Sequence, residues 1–127
     1  MKVLLDTHVL VWWLEDASRL SRRATTILAN LDNSILVSAV VGWEIAIKVS
    51  AGKVEPRSII QGLDRVLKQQ SFSELPITLD ATVRAGLLPL HHRDPFDRLL
   101  VAQAQSLGLS ILSADAVLDR YDVKRLW

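Results

Sequence analysis

Short uninterrupted apolar runs alternate along the chain with longer segments in which apolar residues recur every three or four positions. An uninterrupted run is typical of a strand buried on both faces, whereas the longer recurrence is typical of a helix with one apolar face. The runs predict strands at residues 2–6, 35–37, 109–112 and 123–127, with a short strand or extended link at 75–77. The recurrences predict helices at residues 9–15, 22–31, 39–51, 57–70, 79–88, 95–107 and 114–121.

Residues that favour helix ends support these boundaries. Side chains that can cap a helix N-terminus precede four of the predicted helices: they are Thr7, Ser21, Ser38 and Thr78. Prolines suited to a first turn and glycines suited to a helix end mark further boundaries: Pro56 and Pro95 begin the fourth and sixth helices, and Gly52 and Gly108 end the third and sixth. The fourth helix, at 57–70, has an apolar face formed by Ile59, Ile60, Leu63, Val66 and Leu67.

Strands and helices alternate over the whole chain, and this order predicts an α/β fold with a parallel sheet covered by helices on both faces. A length of 127 residues suits one domain, and we see no repeat, low-complexity tract or linker that would divide residues 1–127. Half of the residues are hydrophobic, which is enough for a core without disulfides or structural metals.

Composition excludes several classes of function. The chain has no cysteine, so disulfides, zinc thiolate sites and thiol catalysis are excluded. No apolar stretch approaches the roughly 20 residues that cross a bilayer, and the first residues lack a signal-peptide pattern, so we expect a cytoplasmic protein with no membrane contact. Fifteen basic and fourteen acidic residues nearly cancel, so any nucleic-acid binding has to come from local groups rather than from net charge.

Four acidic residues lie in apolar surroundings where an unpaired carboxylate is costly. Asp6 and Asp115 each follow a predicted strand, and Glu44 and Asp97 lie within predicted helices. In open α/β sheets, sites form at the carboxyl ends of the strands, where the following helices also begin. Four carboxylates that meet there would repel one another unless a cation lay between them, and oxygen ligands favour Mg²⁺ or Mn²⁺. Such a site fits hydrolysis of a phosphodiester.

Each acid also has a simpler explanation when it is taken alone. Asp6 and Asp115 can cap the helices that follow them, and Glu44 can pair with Lys48 four residues later. Asp94, Pro95 and Asp97 together have the spacing of a helix cap, in which Asp94 is the capping residue. Spacing alone leaves these alternatives open.

Four segments of the chain resemble the PIN-domain pattern, and more narrowly the VapC toxins of type II toxin–antitoxin pairs. The segments are residues 4–8 (LLDTH), 38–44 (SAVVGWE), 92–100 (HRDPFDRLL) and 112–115 (LSAD). The resemblance covers essentially the whole chain in order, and the stretch DPFDRLL is its most specific part. It implies a three-layer α/β/α sandwich with a central parallel sheet, and cleavage of single-stranded RNA that depends on Mg²⁺ or Mn²⁺.

The family's acidic positions match Asp6, Glu44, Asp97 and Asp115 of this sequence. By this match Asp6 and Asp97 are the main metal ligands, while Glu44 and Asp115 complete the site in roles that the sequence does not separate.

Four further residues lie near the acids in sequence, and two interpretations are open for each of them: Thr7, Asp94, Arg98 and Ser113. The hydroxyls of Thr7 and Ser113 can orient a carboxylate or water, but they can also cap a helix or lie in a solvated turn. Asp94 is expected mainly as a cap, and Arg98 can hold the RNA backbone or a neighbouring carboxylate. The loop containing His91 and His92 is expected to be an ordinary solvated loop, although it can also contact substrate.

The resemblance also implies partners, namely a VapB-like antitoxin, a second copy of the chain in a homodimer, and RNA as substrate. Two other classes of protein compete with this one. A phosphotransfer domain of the receiver or haloacid-dehalogenase type lacks support, because His8 stands where the phosphatase needs its second aspartate. A catalytically silent PIN-like module that binds RNA or protein remains the alternative, and the presence of all four acids argues against it.

Overall fold

A computed structural model describes residues 1–53 and 61–127 of the chain. The strands are β1 (Lys2–Leu5), β2 (Ser34–Ser38), β3 (Ser73–Leu75), β4 (Ser110–Leu112) and β5 (Arg125–Leu126). Six α-helices lie within the described ranges: α1 (Thr7–Glu15), α2 (Arg22–Ala29), α3 (Ala39–Ser50), α4 (Leu63–Gln69), α5 (Leu79–Leu87) and α6 (Pro95–Leu107). Short 3₁₀ helices span Ala17–Arg19 and Ala116–Arg120.

All neighbouring strands are parallel, and their order is β3-β2-β1-β4-β5, which confirms the predicted α/β class. The first strand, β1, lies in the middle, and its residues Val3, Leu4 and Leu5 are fully buried. This explains why its sequence is apolar without alternation, since helices cover both faces of a parallel sheet.

The register of the central strands decides which residues meet at the carboxyl edge of the sheet. Leu5 of β1 pairs with Leu112 of β4. The next residues, Asp6 and Ser113, are therefore neighbours, and the Asp6 N–H donates to the Leu112 carbonyl at 3.0 Å. The strand order changes direction on the two sides of β1, and such a point is where α/β sheets form their sites.

The helix ends follow the predicted caps in most places. Ser21, Ser38 and Thr78 each accept a backbone N–H of the helix that they precede. Gly108, with a φ of 66°, ends α6 in the left-handed conformation that glycine adopts without a steric penalty. The prediction that Thr7 caps the first helix is wrong: Asp6 is the cap, and α1 begins at Thr7.

Several boundaries differ from the predictions. The third strand ends at Leu75 instead of spanning 75–77, because Pro76 has no N–H to donate to a sheet. The short helix expected at 114–121 is the 3₁₀ segment Ala116–Arg120, and the last strand is limited to Arg125–Leu126. The predicted start of the fourth helix at Pro56, with Ile59 and Ile60, lies outside the described residues. None of the helices in the described ranges combines the length and apolarity that a bilayer crossing requires.

Candidate metal centre

The four predicted acids lie at the carboxyl edge of the sheet, close enough that the charges of Asp6, Glu44 and Asp115 raise the pKa of Asp97. Asp6 follows β1, Asp115 follows β4, Glu44 lies on α3, and Asp97 lies in the first turn of α6. Hydrogen bonds through intervening side chains connect them, and Asp6 and Glu44 are buried while Asp97 and Asp115 are partly exposed. The fold thus brings together side chains that are as many as 109 positions apart in sequence, the difference between 115 and 6.

Asp6 is held by the two residues that flank it in space. Its Oδ1 accepts the Thr7 N–H at 2.8 Å, and its Oδ2 accepts the Ser113 hydroxyl at 2.6 Å. The same Ser113 oxygen accepts the N–H of Asp115 at 3.0 Å. Ser113 is fully buried, so it connects Asp6 and Asp115 directly and does not lie in a solvated turn.

Glu44 contacts both the segment that follows β1 and a lysine of its own helix, so the two explanations considered for it hold together. Its Oε1 accepts the Thr7 hydroxyl at 2.5 Å, which connects it to the segment that follows β1. Its Oε2 lies 2.6 Å from the Lys48 ammonium one turn later. Burial lowers the pKa of Lys48, but the hydrogen bond and charge of Glu44, with the charges of Asp94 and Asp97, outweigh it and raise the pKa overall. Lys48 is therefore a fixed positive charge beside the cluster.

Asp115 caps the second 3₁₀ helix and still faces the other acids. Its Oδ1 accepts the Val117 N–H at 3.0 Å, while its Oδ2 is directed to the cluster. Asp94 performs the corresponding capping for α6, because its Oδ1 accepts the Phe96 N–H at 2.9 Å. Capping by Asp94 leaves Asp97 free of that role, and the Asp97 carboxyl is turned to the site.

The site disfavours the anionic form of Asp97. Burial raises its pKa from the ordinary 3.8 to about 8, and the negative charges of the neighbouring acids add to the shift. In order of effect, these neighbours are Asp6, Asp94, Glu44 and Asp115. A buried carboxyl whose pKa is raised further by neighbouring carboxylates is typical of a site that binds a cation.

The sequence prediction was wrong about His92, which does not lie in an ordinary solvated loop. Its Nε2 lies 2.8 Å from Asp97 Oδ2 and 3.0 Å from Asp115 Oδ2. Ligand atoms of these three residues fall within 4.8 Å of one another, which is close enough to hold a metal ion. The only local signal was a histidine five positions before an acid at a helix start, and this spacing alone does not predict a contact.

Arg98 does not contact a carboxylate among the described residues, although the sequence left that role open. Its side chain is buried, and its guanidinium donates to five backbone carbonyls at distances from 2.9 to 3.4 Å. The carbonyls belong to the end of α5 and the loop after it: Ala85, Gly86, Leu88, Pro89 and His92. Carbonyls at a helix C-terminus lack partners within the helix and attract cations, so Arg98 holds this end of α5 and the following loop in place.

Residues 3–124 of the chain match the PIN domain family, and the protein belongs to that family. Among individual proteins, the chain is 28% identical to "Ribonuclease VapC22" of Mycobacterium tuberculosis over 115 residues, which cover 89% of this chain and 86% of that protein.

Solved VapBC and FitAcB structures share the fold. One is VapBC2 from Rickettsia felis bound to a DNA fragment from its promoter, with a TM-score of 0.75 and 18% identity over 99% of this chain and 98% of the other. Another is VapBC-1 from nontypeable Haemophilus influenzae, with a TM-score of 0.69 and 15% identity over 99% and 97% of the two chains. A third is FitAcB from Neisseria gonorrhoeae, with a TM-score of 0.67 and 17% identity over 98% and 96%. They match the predicted three-layer architecture.

Proposed function

We propose that this PIN-domain protein is the VapC-type toxin of a type II toxin–antitoxin pair and that it hydrolyses single-stranded RNA with a divalent cation, Mg²⁺ or Mn²⁺. The observation that carries the proposal is the convergence of Asp6, Glu44, Asp97 and Asp115, with the pKa of Asp97 raised to about 8. The similarity to a protein named ribonuclease VapC22 supports the same activity.

The donor set fits a hard cation. The four acids offer carboxylate oxygens, which Mg²⁺ and Mn²⁺ prefer. Asp6 and Asp97 would be the principal ligands, with Glu44 and Asp115 completing the site. When bound, the cation supplies positive charge that makes water more acidic and offsets negative charge on the phosphate.

The side chains of the protein have two roles in this reaction: they accept a proton from water, and they hold the metal-binding carboxylates in position. In hydrolysis a water oxygen bonds to phosphorus and the bond from phosphorus to the 3′-oxygen breaks; the leaving 3′-oxygen takes a proton from solvent, which gives 5′-phosphate and 3′-hydroxyl ends. The proton of the water passes to Glu44 or Asp115, the two acids not assigned as principal ligands. Ser113 and Thr7 fix the carboxylates of Asp6 and Glu44 through hydroxyl hydrogen bonds of 2.6 and 2.5 Å. Such fixing keeps the ligands in place when substrate binds.

The partners follow from the same assignment. We propose that a VapB-like antitoxin binds this protein, because the structural relatives were solved as VapBC and FitAcB complexes. A homodimer and action in the cytoplasm, where RNA is available, complete the proposal.

RNA cleavage tests the activity directly. A mixed pool of structured and unstructured RNAs is incubated with the antitoxin-free protein in Mg²⁺, in Mn²⁺ and in EDTA. We expect cutting that needs metal and that the Asp6→Asn variant lacks, while Asp80→Asn, a change at an exposed acid paired with Arg84, cuts normally. Absence of cutting by folded protein against every RNA would favour the alternative, a silent PIN-like binding module.

Metal binding should depend on pH because of Asp97. Below a pKa of about 8 this carboxyl holds a proton that a cation has to displace, so affinity should rise with pH and level off above about pH 8. We expect millimolar Mg²⁺ to raise the melting temperature more at pH 8.5 than at pH 6.5, since selective binding stabilises the folded state. Scanning calorimetry at both pH values measures this, and an equal shift at both would show that the ion does not displace a proton from Asp97.

A further inference from the structure

The imidazole of His92 lies between two of the proposed metal ligands. Its Nε2 is 3.0 Å from Asp115 Oδ2 and 2.8 Å from Asp97 Oδ2, and the His92 side chain is only 19% exposed. No other histidine in the described ranges belongs to a group of three or more residues that could hold a metal. His92 is therefore the only such histidine placed where a cation that joined Asp97 and Asp115 would have to lie.

The hydrogen bonds of the ring define which nitrogen carries the proton. The N–H of Asp94 donates to His92 Nδ1 at 3.2 Å, so Nδ1 supplies a lone pair and carries no proton. The proton then lies on Nε2, which makes Nε2 a donor to the carboxylates. A nitrogen that carries a proton cannot bind a metal, so this arrangement of the ring is a hydrogen-bonding one and not a ligating one.

The backbone of His92 is fixed from two sides. Its N–H donates to the Tyr121 hydroxyl at 2.9 Å, and that hydroxyl in turn donates to the Pro89 carbonyl at 2.8 Å. Its carbonyl accepts from Arg98 Nη1 at 3.4 Å. Residues far apart in sequence thus place the imidazole over the acids, and movement of the ring requires only rotation of the side chain.

We infer that His92 is a positioning residue that competes with the metal. In the metal-free protein its Nε2–H group holds the carboxylates of Asp97 and Asp115 together, and the ring has to turn away before a cation can join them. The inference rests on the metal site of the proposed function, and it adds a residue that lowers the affinity of that site for the ion.

Mn²⁺ binding to the metal-free protein tests the competition without any RNA. Free Mn²⁺ is counted by electron paramagnetic resonance at pH 8.5 during titration of wild type, His92→Ala and His92→Gln. We expect His92→Ala to bind Mn²⁺ about tenfold more tightly, the equivalent of one charge-assisted hydrogen bond that no longer has to be broken. His92→Gln keeps an amide donor and should bind with an affinity between the two. His91→Ala is the matched control, because the His91 side chain is exposed and forms no hydrogen bond or ion pair with the acids among the described residues.

Several results would overturn the inference. Weaker binding by His92→Ala, together with a nitrogen coupling in the pulsed spectrum of wild type that the variant lacks, would make His92 a ligand. Equal affinity in wild type and both His92 variants would remove the competition and leave the nuclease proposal intact. If His92→Ala does not fold, His92→Gln replaces it in the test: an affinity equal to that of wild type would then rule out the competition. If wild type neither binds Mn²⁺ nor cuts RNA, the proposed function itself fails.

Discussion

Replacing Asp97 by asparagine is expected to abolish RNA cleavage and, without metal, to give a protein more stable than wild type at pH 8. Loss of a principal ligand removes several kcal/mol of charge stabilisation in the transition state, so cleavage should fall at least about a thousandfold. Asparagine keeps the shape of the side chain and an oxygen that can accept from His92. The change therefore removes a disfavoured charge at little cost in contacts.

The effect on stability should depend on pH in a defined direction. In the folded protein Asp97 holds its proton up to about pH 8, whereas in the unfolded chain it loses the proton near 3.8. The folded state binds more protons between these values, so this group lowers the free energy of unfolding as pH rises across that window. The advantage of Asp97→Asn should be absent near pH 4 and reach a few kcal/mol at pH 8, at roughly 1.4 kcal/mol per pKa unit.

Urea denaturation in EDTA at pH 4.5, 6.5 and 8 measures this advantage. Asp80→Asn serves as the control, because Asp80 is exposed and its pair with Arg84 contributes little. A marked loss of stability in Asp97→Asn at pH 8 would show instead that the carboxylate helps to hold the start of α6.

Replacing Arg98 by alanine is expected to destabilise the protein more than the substitutions at Asp97, His92, Asp80 or Arg84. The buried guanidinium donates to carbonyls of Ala85, Gly86, Leu88, Pro89 and His92. Each buried acceptor left without a partner costs about 1–3 kcal/mol, and water can replace only some of these donors. The free energy of unfolding should fall by about 3 kcal/mol or more, which lowers the melting temperature by roughly 10 °C.

Two further variants separate this role from a general effect of charge. Arg98→Lys should recover only part of the stability. A lysine ammonium has three N–H donors on a single nitrogen, so it cannot reach all the carbonyls that surround the planar guanidinium. Arg84→Ala removes an exposed arginine one helix away and should change stability by less than about 0.5 kcal/mol. If Arg98→Ala melted like wild type, the carbonyl contacts would contribute nothing measurable, and the loop before α6 would need another support.

The class of fold, and the position of the four acids at the carboxyl edge of the sheet, could be predicted because both depend on local patterns. The apolar runs of β1 and β4 mark buried parallel strands, and the residue after such a strand reaches the carboxyl edge whatever the rest of the chain does. Asp94, Pro95 and Gly108 define α6 in the same local way. The alternatives for Asp6, Glu44 and Asp115 also proved compatible with convergence, because a carboxylate has two oxygens and each acid uses one for a local contact.

His92 and Arg98 could not be predicted, because their roles depend on the path of a loop. Residues 88–94 are held by donors from α6 and by the hydroxyl of Tyr121, which lies 29 positions after His92. No periodicity or composition within the loop encodes these contacts. A polar loop beside a site becomes part of the site only when distant residues fix it there.

The position of β1 in the middle of the sheet determines when the proposed site can assemble during translation. Its partner β4 is synthesised late, and the Ser113 hydroxyl that fixes Asp6 lies 107 positions after it. A nascent chain of a hundred residues has Asp6, Glu44 and Asp97 but neither Ser113 nor Asp115. The proposed metal site therefore lacks Asp115, and the hydroxyl that fixes Asp6, until β4 and the residues that follow it have been synthesised.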